Sequence, residues 1–170
     1  MNYIFVGIPA SGKSTARKYL AESLGFQGFE CSDYVKDTCR ELGLKPGELF
    51  RQFGRDFAVR QILDDITAEP FVISGCRKPE EIRTMKDHYE CKVIAVYASE
   101  KRCFQRYLTR KRDDDIKTFE DFWKKKVLVN YSVGLEQVIR RHTDMMVDND
   151  HDDEELYFRV LRDIVTGSYI

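Results

Sequence analysis

The stretch GIPASGKST, Gly7 to Thr15, follows directly on the apolar run NYIFV. Its spacing is G-x-x-x-x-G-K-[ST], and it constrains the fold more than any other part of the chain. Glycines let successive backbone N–H groups turn inward around an anion, and the N-terminus of the following helix adds a positive dipole end. The run Asn2–Val6 has the length and continuity of a strand buried on both faces, and Ser14–Leu24 reads as a helix closed by Gly25. The loop therefore stands where its chemistry requires, between a strand and a helix. Gly7, Ala10, Ser11, Gly12, Lys13, Ser14 and Thr15 are the predicted cradle for a nucleoside triphosphate, ATP. In this pattern the lysine reaches the β- and γ-phosphates and the Ser14 hydroxyl binds Mg²⁺.

The rest of the chain alternates. Phe26–Glu30, Phe71–Ser74, Lys92–Ala98 and Asp144–Val147 read as strands, and the connections between them carry helical periodicity. The expectation is an α/β fold: a P-loop three-layer sandwich with a five-stranded parallel sheet. At 170 residues the chain reads as one domain, 1–170. Residues 34–68 form a helical segment in which Leu49, Phe50, Phe53, Phe57, Ile62, Leu63 and Ile66 share one continuous helix opened by Pro46. Phe119 to about His142 reads as one long amphipathic helix.

Composition narrows the classes. A net charge of -1 argues against wholesale coating of nucleic acid. Five cysteines, odd in number and without C-x-x-C spacing, read as reduced thiols in a cytoplasmic setting. The apolar N-terminal run is too short for a membrane span. A GTP switch needs a guanine-reading N/T-K-x-D, which the sequence lacks. An AAA-type ATPase normally has a longer chain and an acid ending an apolar strand, where FVIS places Ser74.

A kinase reading draws on RCFQRYLTRKRDDD. Arg102, Arg106 and Arg110 recur every four residues with Arg112 beside them, and a polar break follows. Converging guanidinium groups stabilise the charge of a transferring phosphoryl group, and a lid over residues 106–118 excludes water.

On these residues the chain resembles the nucleoside-monophosphate-kinase-like branch of P-loop kinases, particularly dephospho-CoA-kinase-like proteins and phage deoxynucleotide kinases. VISGCRKPEE, RYLTRKRDDDIKTFEDF and LFRQFGRDF resemble that branch's strand-end segment, arginine-rich lid and acceptor-domain helix. The resemblance implies that Lys13, Arg106, Arg110 and Arg112 surround the transferring phosphoryl group. It also implies that Arg55 and Arg77 lie on the acceptor side and Asn149 near the adenine. Ser74, where the branch carries an acid, and KKKVLV, where it carries an acid-rich helix, depart from the pattern.

Two acceptor classes fit. A nucleotide or nucleotide-like acceptor presents an ionised phosphate and needs no base. A hydroxyl acceptor (dephospho-CoA, a polynucleotide 5′ end, a hydroxymethylated base in DNA) gains from a carboxylate. Asp33, just past the second strand, suits that base and equally suits a helix N-cap. Basic and aromatic residues around Trp123–Lys126 and Arg140–His142 leave room for DNA as an acceptor. Ser74 favours a third reading, a nucleotide-binding regulatory module without catalysis.

Overall fold

The computed structural model describes residues 1–110 and 116–168. Five strands, β1 (Asn2–Val6), β2 (Gln27–Glu30), β3 (Phe71–Ser74), β4 (Cys91–Tyr97) and β5 (Met145–Asp148), form one parallel sheet in the order β2-β3-β1-β4-β5. β1 and β3 are buried along their whole length because helices cover both faces of the sheet. On one face lie α1 (Lys13–Leu24) and α10 (Glu154–Thr166), around Phe5, Leu20, Tyr157 and Leu161. The other face packs α4 (Phe57–Asp65), α5 (Pro79–His88) and α9 (Leu135–His142) through Ile62, Ile82, Met85 and Val138. Among the described residues no helix is long and apolar enough to cross a membrane.

Register positions the chemistry. Glu30 pairs with Ser74, Phe5 with Ser74, Val6 with Ala95, and Tyr97 with Asp148. The strands thus end along one edge, where the loops that follow them converge and where ligands bind in open parallel sheets.

Three elements differ from the sequence expectation. α2 (Cys31–Leu42) starts immediately after β2, with extended Glu30 as its capping position, so Asp33 falls inside the first turn rather than at the cap. The helix expected to run on from Pro46 breaks into α3 (Pro46–Phe53) and α4, because Gly54 takes φ 95°. The helix expected from Phe119 is divided into α7 (Phe119–Phe122), a π-helical turn (Trp123–Val127), α8 (Leu128–Ser132) and α9. Gly134, at φ 124°, makes the last break; a Cβ there would stand 2.9 Å from Pro79 Cδ, so α5 approaches too closely for any other residue.

Candidate functional site

The loop after β1 has the backbone its spacing requires. Gly7 and Gly12 have φ of 148° and 115°, and Ala10 is held at φ 65°. A Cβ on Gly7 would meet Val96 O at 2.6 Å, and one on Gly12 would meet Asn149 Nδ2 at 2.2 Å. Buried Asn149 donates to Ser11 O at 2.7 Å, and Tyr157 Oη donates to Gly12 O at 3.2 Å. The loop is thereby clamped from behind by β5's exit and by α10. Lys13 Nζ donates to Ile8 O at 2.7 Å. Burial pulls the Lys13 ammonium down to about 8; Glu30 opposes this, while Arg77 and Arg110 reinforce it. An anion seated in the loop removes that penalty.

The acid missing at Ser74 comes from the neighbouring strand. Glu30 Oε2 accepts from Ser14 Oγ at 3.0 Å and from Ser74 Oγ at 2.6 Å, and Arg17 Nε lies 3.9 Å away. Arg17 Nε also donates to Ser74 Oγ at 3.1 Å. Burial alone would push the Glu30 carboxyl up. Hydrogen bonds from Ser74 and Ser14, with the charges of Lys13 and Arg17, hold it below its ordinary value. Sequence reasoning missed Glu30, since FECSD offers two acids and only the β2–β3 register tells which one faces Ser14. A hydroxyl and an ionised carboxylate are the hard oxygen donors that Mg²⁺ takes, so Ser14 and Glu30 fit that ion. No group of three His, Cys, Asp or Glu side chains gathers for a metal among the described residues.

Beside the loop lies a cavity of about 260 Å³ lined by Ala10, Gly12, Thr15, Arg106, Arg110, Asn149 and His151, among others. The arginines that recur every four residues divide there. Arg102 binds Asp150 at 3.0 Å and also Asp152, tying α6 (Glu100–Thr109) to the loop after β5. Arg106 Nη2 donates to His151 O at 2.7 Å, while Arg106 Nη1 and His151 Nδ1 are buried without a partner. Two unsatisfied polar atoms beside the triphosphate cradle fit a polar ligand such as a nucleotide. Arg112 lies outside the described residues, as does part of the expected lid.

Across the sheet edge a second cavity, about 370 Å³, opens between the ends of β2 and β3, α2, α3 and the helix after the lid. Its walls are largely apolar, from Val35, Phe50, Val129 and Val133, and Arg77 stands at its rim. Lys78 also lines it, but is paired with Glu81 at 3.0 Å and sits 3.6 Å over the Phe50 ring. Arg55 is elsewhere: it donates to Val133 O at 2.6 Å and pairs with Glu80 at 3.2 Å. Asp33 is exposed, 3.5 Å from Lys36, and outside the cavity lining. Glu30 lines neither cavity but stands next to the second, one residue before the lining Cys31. Its Oε2 faces Ser14, and its Oε1 is 2.2 Å from the point a Cβ on Gly75 would occupy. Gly75 lines the second cavity.

Within the basic stretches considered for DNA, several side chains have local partners. Lys125 pairs with Asp121 at 3.2 Å and Arg140 with Glu136 at 2.9 Å, each one turn apart, and Trp123 packs on Tyr131.

A parallel sheet in this strand order, with the phosphate loop after its central strand, has the fold of the P-loop kinases. Shikimate kinase from Bacteroides thetaiotaomicron superposes with a TM-score of 0.66, covering 99% of this chain and 97% of that one at 16% identity. A shikimate kinase from Acinetobacter baumannii, in complex with shikimate, gives 0.63, over 99% and 95% of the two chains, also at 16%. At that identity the likeness is one of fold. A family model described as an AAA domain matches residues 4–131. A UPF0200 protein of Staphylothermus marinus is 30% identical over 176 residues, 95% of this chain and 92% of that relative. One from Thermoplasma volcanium is 30% identical over 170 residues, 92% of each. The chain belongs to the UPF0200 proteins and to the AAA-domain family. The AAA description had looked remote because β3 ends in Ser74; the strand-end acid is present, but on β2.

Proposed function

We propose that the protein is an ATP- and Mg²⁺-dependent phosphotransferase that moves the γ-phosphate of ATP to a nucleotide or nucleotide-like acceptor. The observation that carries this reading is the 370 Å³ cavity at the ends of β2 and β3, with Arg77 at its rim and close enough to Lys13 to lower that ammonium. A hydrolase needs only a path for water; a second roomy, mostly apolar cavity beside the phosphate loop supports a second substrate.

In this reading Gly7 to Thr15 hold the triphosphate and Asn149 keeps the loop in shape at the nucleotide end. Arg106 and Arg110, with Arg112 beyond them in sequence, neutralise the phosphoryl group in flight. Ser14 and Glu30 would hold Mg²⁺, which would supply charge neutralisation to the phosphates when bound. Lys13 holds the transferred phosphate, and Arg77 receives the acceptor's anionic end. The bond from γ-phosphorus to the β–γ bridging oxygen breaks as one to the acceptor oxygen forms.

A hydroxyl acceptor is the second reading, and Glu30 favours it. Both lysines of the lining are paired, Lys78 with Glu81 and Lys36 with Asp33, which leaves Arg77 as the cation at the rim. The Glu30 carboxylate, beside the lining residues Cys31 and Gly75, would orient a hydroxyl and take its proton, whereas it would repel a dianionic phosphate. Asp33, paired with Lys36, is further from that task. The regulatory-module reading loses its motive once Glu30 supplies the acid that Ser74 lacks.

The test is a γ-phosphate transfer screen with Mg²⁺ across nucleoside monophosphates, dephospho-CoA and DNA with free 5′ or hydroxymethyl hydroxyls. Transfer to a monophosphate supports the first reading and transfer to a hydroxyl the second. ATP binding without transfer to any of them refutes both.

A further inference from the structure

We propose that Cys31 and Cys76 form a peroxide-reactive dithiol whose closure to a disulfide displaces Glu30 and disables the site. The consequence for activity rests on the phosphotransferase reading; the thiol chemistry does not.

The two sulfurs leave neighbouring parallel strands, β2 and β3, and lie 3.4 Å apart. This is the one sulfur–sulfur contact among the described residues, and all five cysteines are free thiols. Cys31 and Cys76 are 2% and 1% exposed, so neither is open to bulk solvent. Cys31 nevertheless lines the 370 Å³ cavity, as do the residues on either side of Cys76, Gly75 and Arg77. A small neutral oxidant therefore has a path to Cys31, and Cys76 stands behind it as the resolving thiol; burial holds both thiols above their ordinary value, so the oxidation is slow. Cys39, on α2, is more exposed but has no second sulfur beside it.

The chemistry balances in two steps. Hydrogen peroxide transfers one oxygen to the Cys31 sulfur, giving a sulfenic acid and one water. The Cys76 sulfur then attacks the Cys31 sulfur, the S–S bond forms, and the hydroxyl leaves with the Cys76 proton as a second water. Two thiols are oxidised by two electrons and one peroxide is reduced.

Closure has a geometric price. The sulfurs must draw from 3.4 Å to about 2.05 Å, pulling together the chain ends that leave β2 and β3. Glu30 immediately precedes Cys31, and its Oε1 is already 2.2 Å from where a Gly75 Cβ would stand. Any backbone shift of Cys31 on closure is passed directly to Glu30, and it is this shift that pulls the carboxylate from its bonds to Ser14 and Ser74.

The experiment treats the full chain with a small excess of hydrogen peroxide and reads thiol count, intact mass and a non-reducing peptide map. The expected result is a fall from five thiols to three, a mass loss of two hydrogens, and a Cys31–Cys76 link that dithiothreitol reverses. In Cys76→Ser, dimedone traps the Cys31 sulfenic acid; Cys39→Ser crosslinks as the parent chain does. Thiols that persist at both positions, or a link between another pair, overturn the proposal. In parallel, the crosslinked chain should lose the Mg²⁺-dependent part of the thermal shift produced by ATP, and its retention overturns the displacement of Glu30. If the reduced chain gives no ATP shift at all, the phosphotransferase reading falls and the peptide map alone decides the dithiol.

Discussion

Replacing Glu30 with Gln keeps the size of the side chain and removes its charge. Two hydroxyl donors, Ser14 and Ser74, now point at a neutral oxygen, and Arg17 loses its carboxylate. A hydrogen bond to a charged group contributes about 1.5–3 kcal/mol against about 1 for a neutral one, so two weakened bonds remove about 2 kcal/mol. The Arg17 pair adds little, because at 3.9 Å its attraction is offset by the desolvation of both groups. For a chain of this size about 2 kcal/mol lowers Tm by about 4–8 °C. The sign with pH follows from the depressed carboxyl. Its stabilisation is fully present above the unfolded-state value of about 4.3 and is lost as pH falls through the folded value. Thermal melts of the ligand-free proteins should therefore show a gap of about 4–8 °C at pH 7 that narrows below about pH 4. Adding Mg²⁺ to the ATP complex should raise Tm more in the parent chain than in the variant. Equal Tm values at pH 7, or a gap that stays constant down to pH 3, would refute the assignment of Glu30 as the ionised hub of the site.

Lys13→Ala should reduce phosphotransfer by about 10²-fold or more, since charge stabilisation at the phosphates is the main catalytic term; near-normal turnover contradicts its role. Because Lys13 carries its charge only below about 8, ATP affinity should weaken as pH rises through that value, by at most about tenfold per unit, which calorimetric titration reads directly. Gly12→Ala places a methyl group 2.2 Å from Asn149 Nδ2 at φ 115°, so ATP binding should be lost together with about 1–3 kcal/mol of stability in a denaturant titration. Asp33→Asn should change kcat by less than about tenfold, while loss of a true general base gives 10²-fold or more; a larger fall restores Asp33 as the base. Phe122→Ala empties a fully buried position packed on Phe104 and Tyr107, and should cost about 3–5 kcal/mol without changing ATP affinity per folded molecule.

The sheet and the phosphate loop were legible because each is encoded within a few consecutive residues. A continuous apolar run gives a buried strand, and the glycine spacing gives the loop after it. The helical breaks at Gly54 and Gly134 were not, since a lone glycine at helical spacing reads as tolerated until a neighbour such as Pro79 demands the approach. Glu30 was hidden for a different reason. Which acid of Glu30 and Asp33 faces Ser14 depends on where β2 ends and how it registers with β3, and both are tertiary facts. The arginines fell in between. Their spacing placed them on α6, but only the loop after β5 separates Arg102, spent on Asp150 and Asp152, from Arg106, which faces the cavity.

Arg55 closes a loop of a different kind. Its bond to the Val133 carbonyl joins positions 78 residues apart, one between α3 and α4, the other at the end of α8. The enclosed stretch includes β3, β4 and α6, so the tie spans from the helices beside the 370 Å³ cavity to the helix that follows the expected lid. The bond favours their moving together, as a tie rod couples two wheels. In hydrogen exchange, α4 and α8 should then open together as one cooperative unit, and lose that synchrony when the arginine is shortened to lysine.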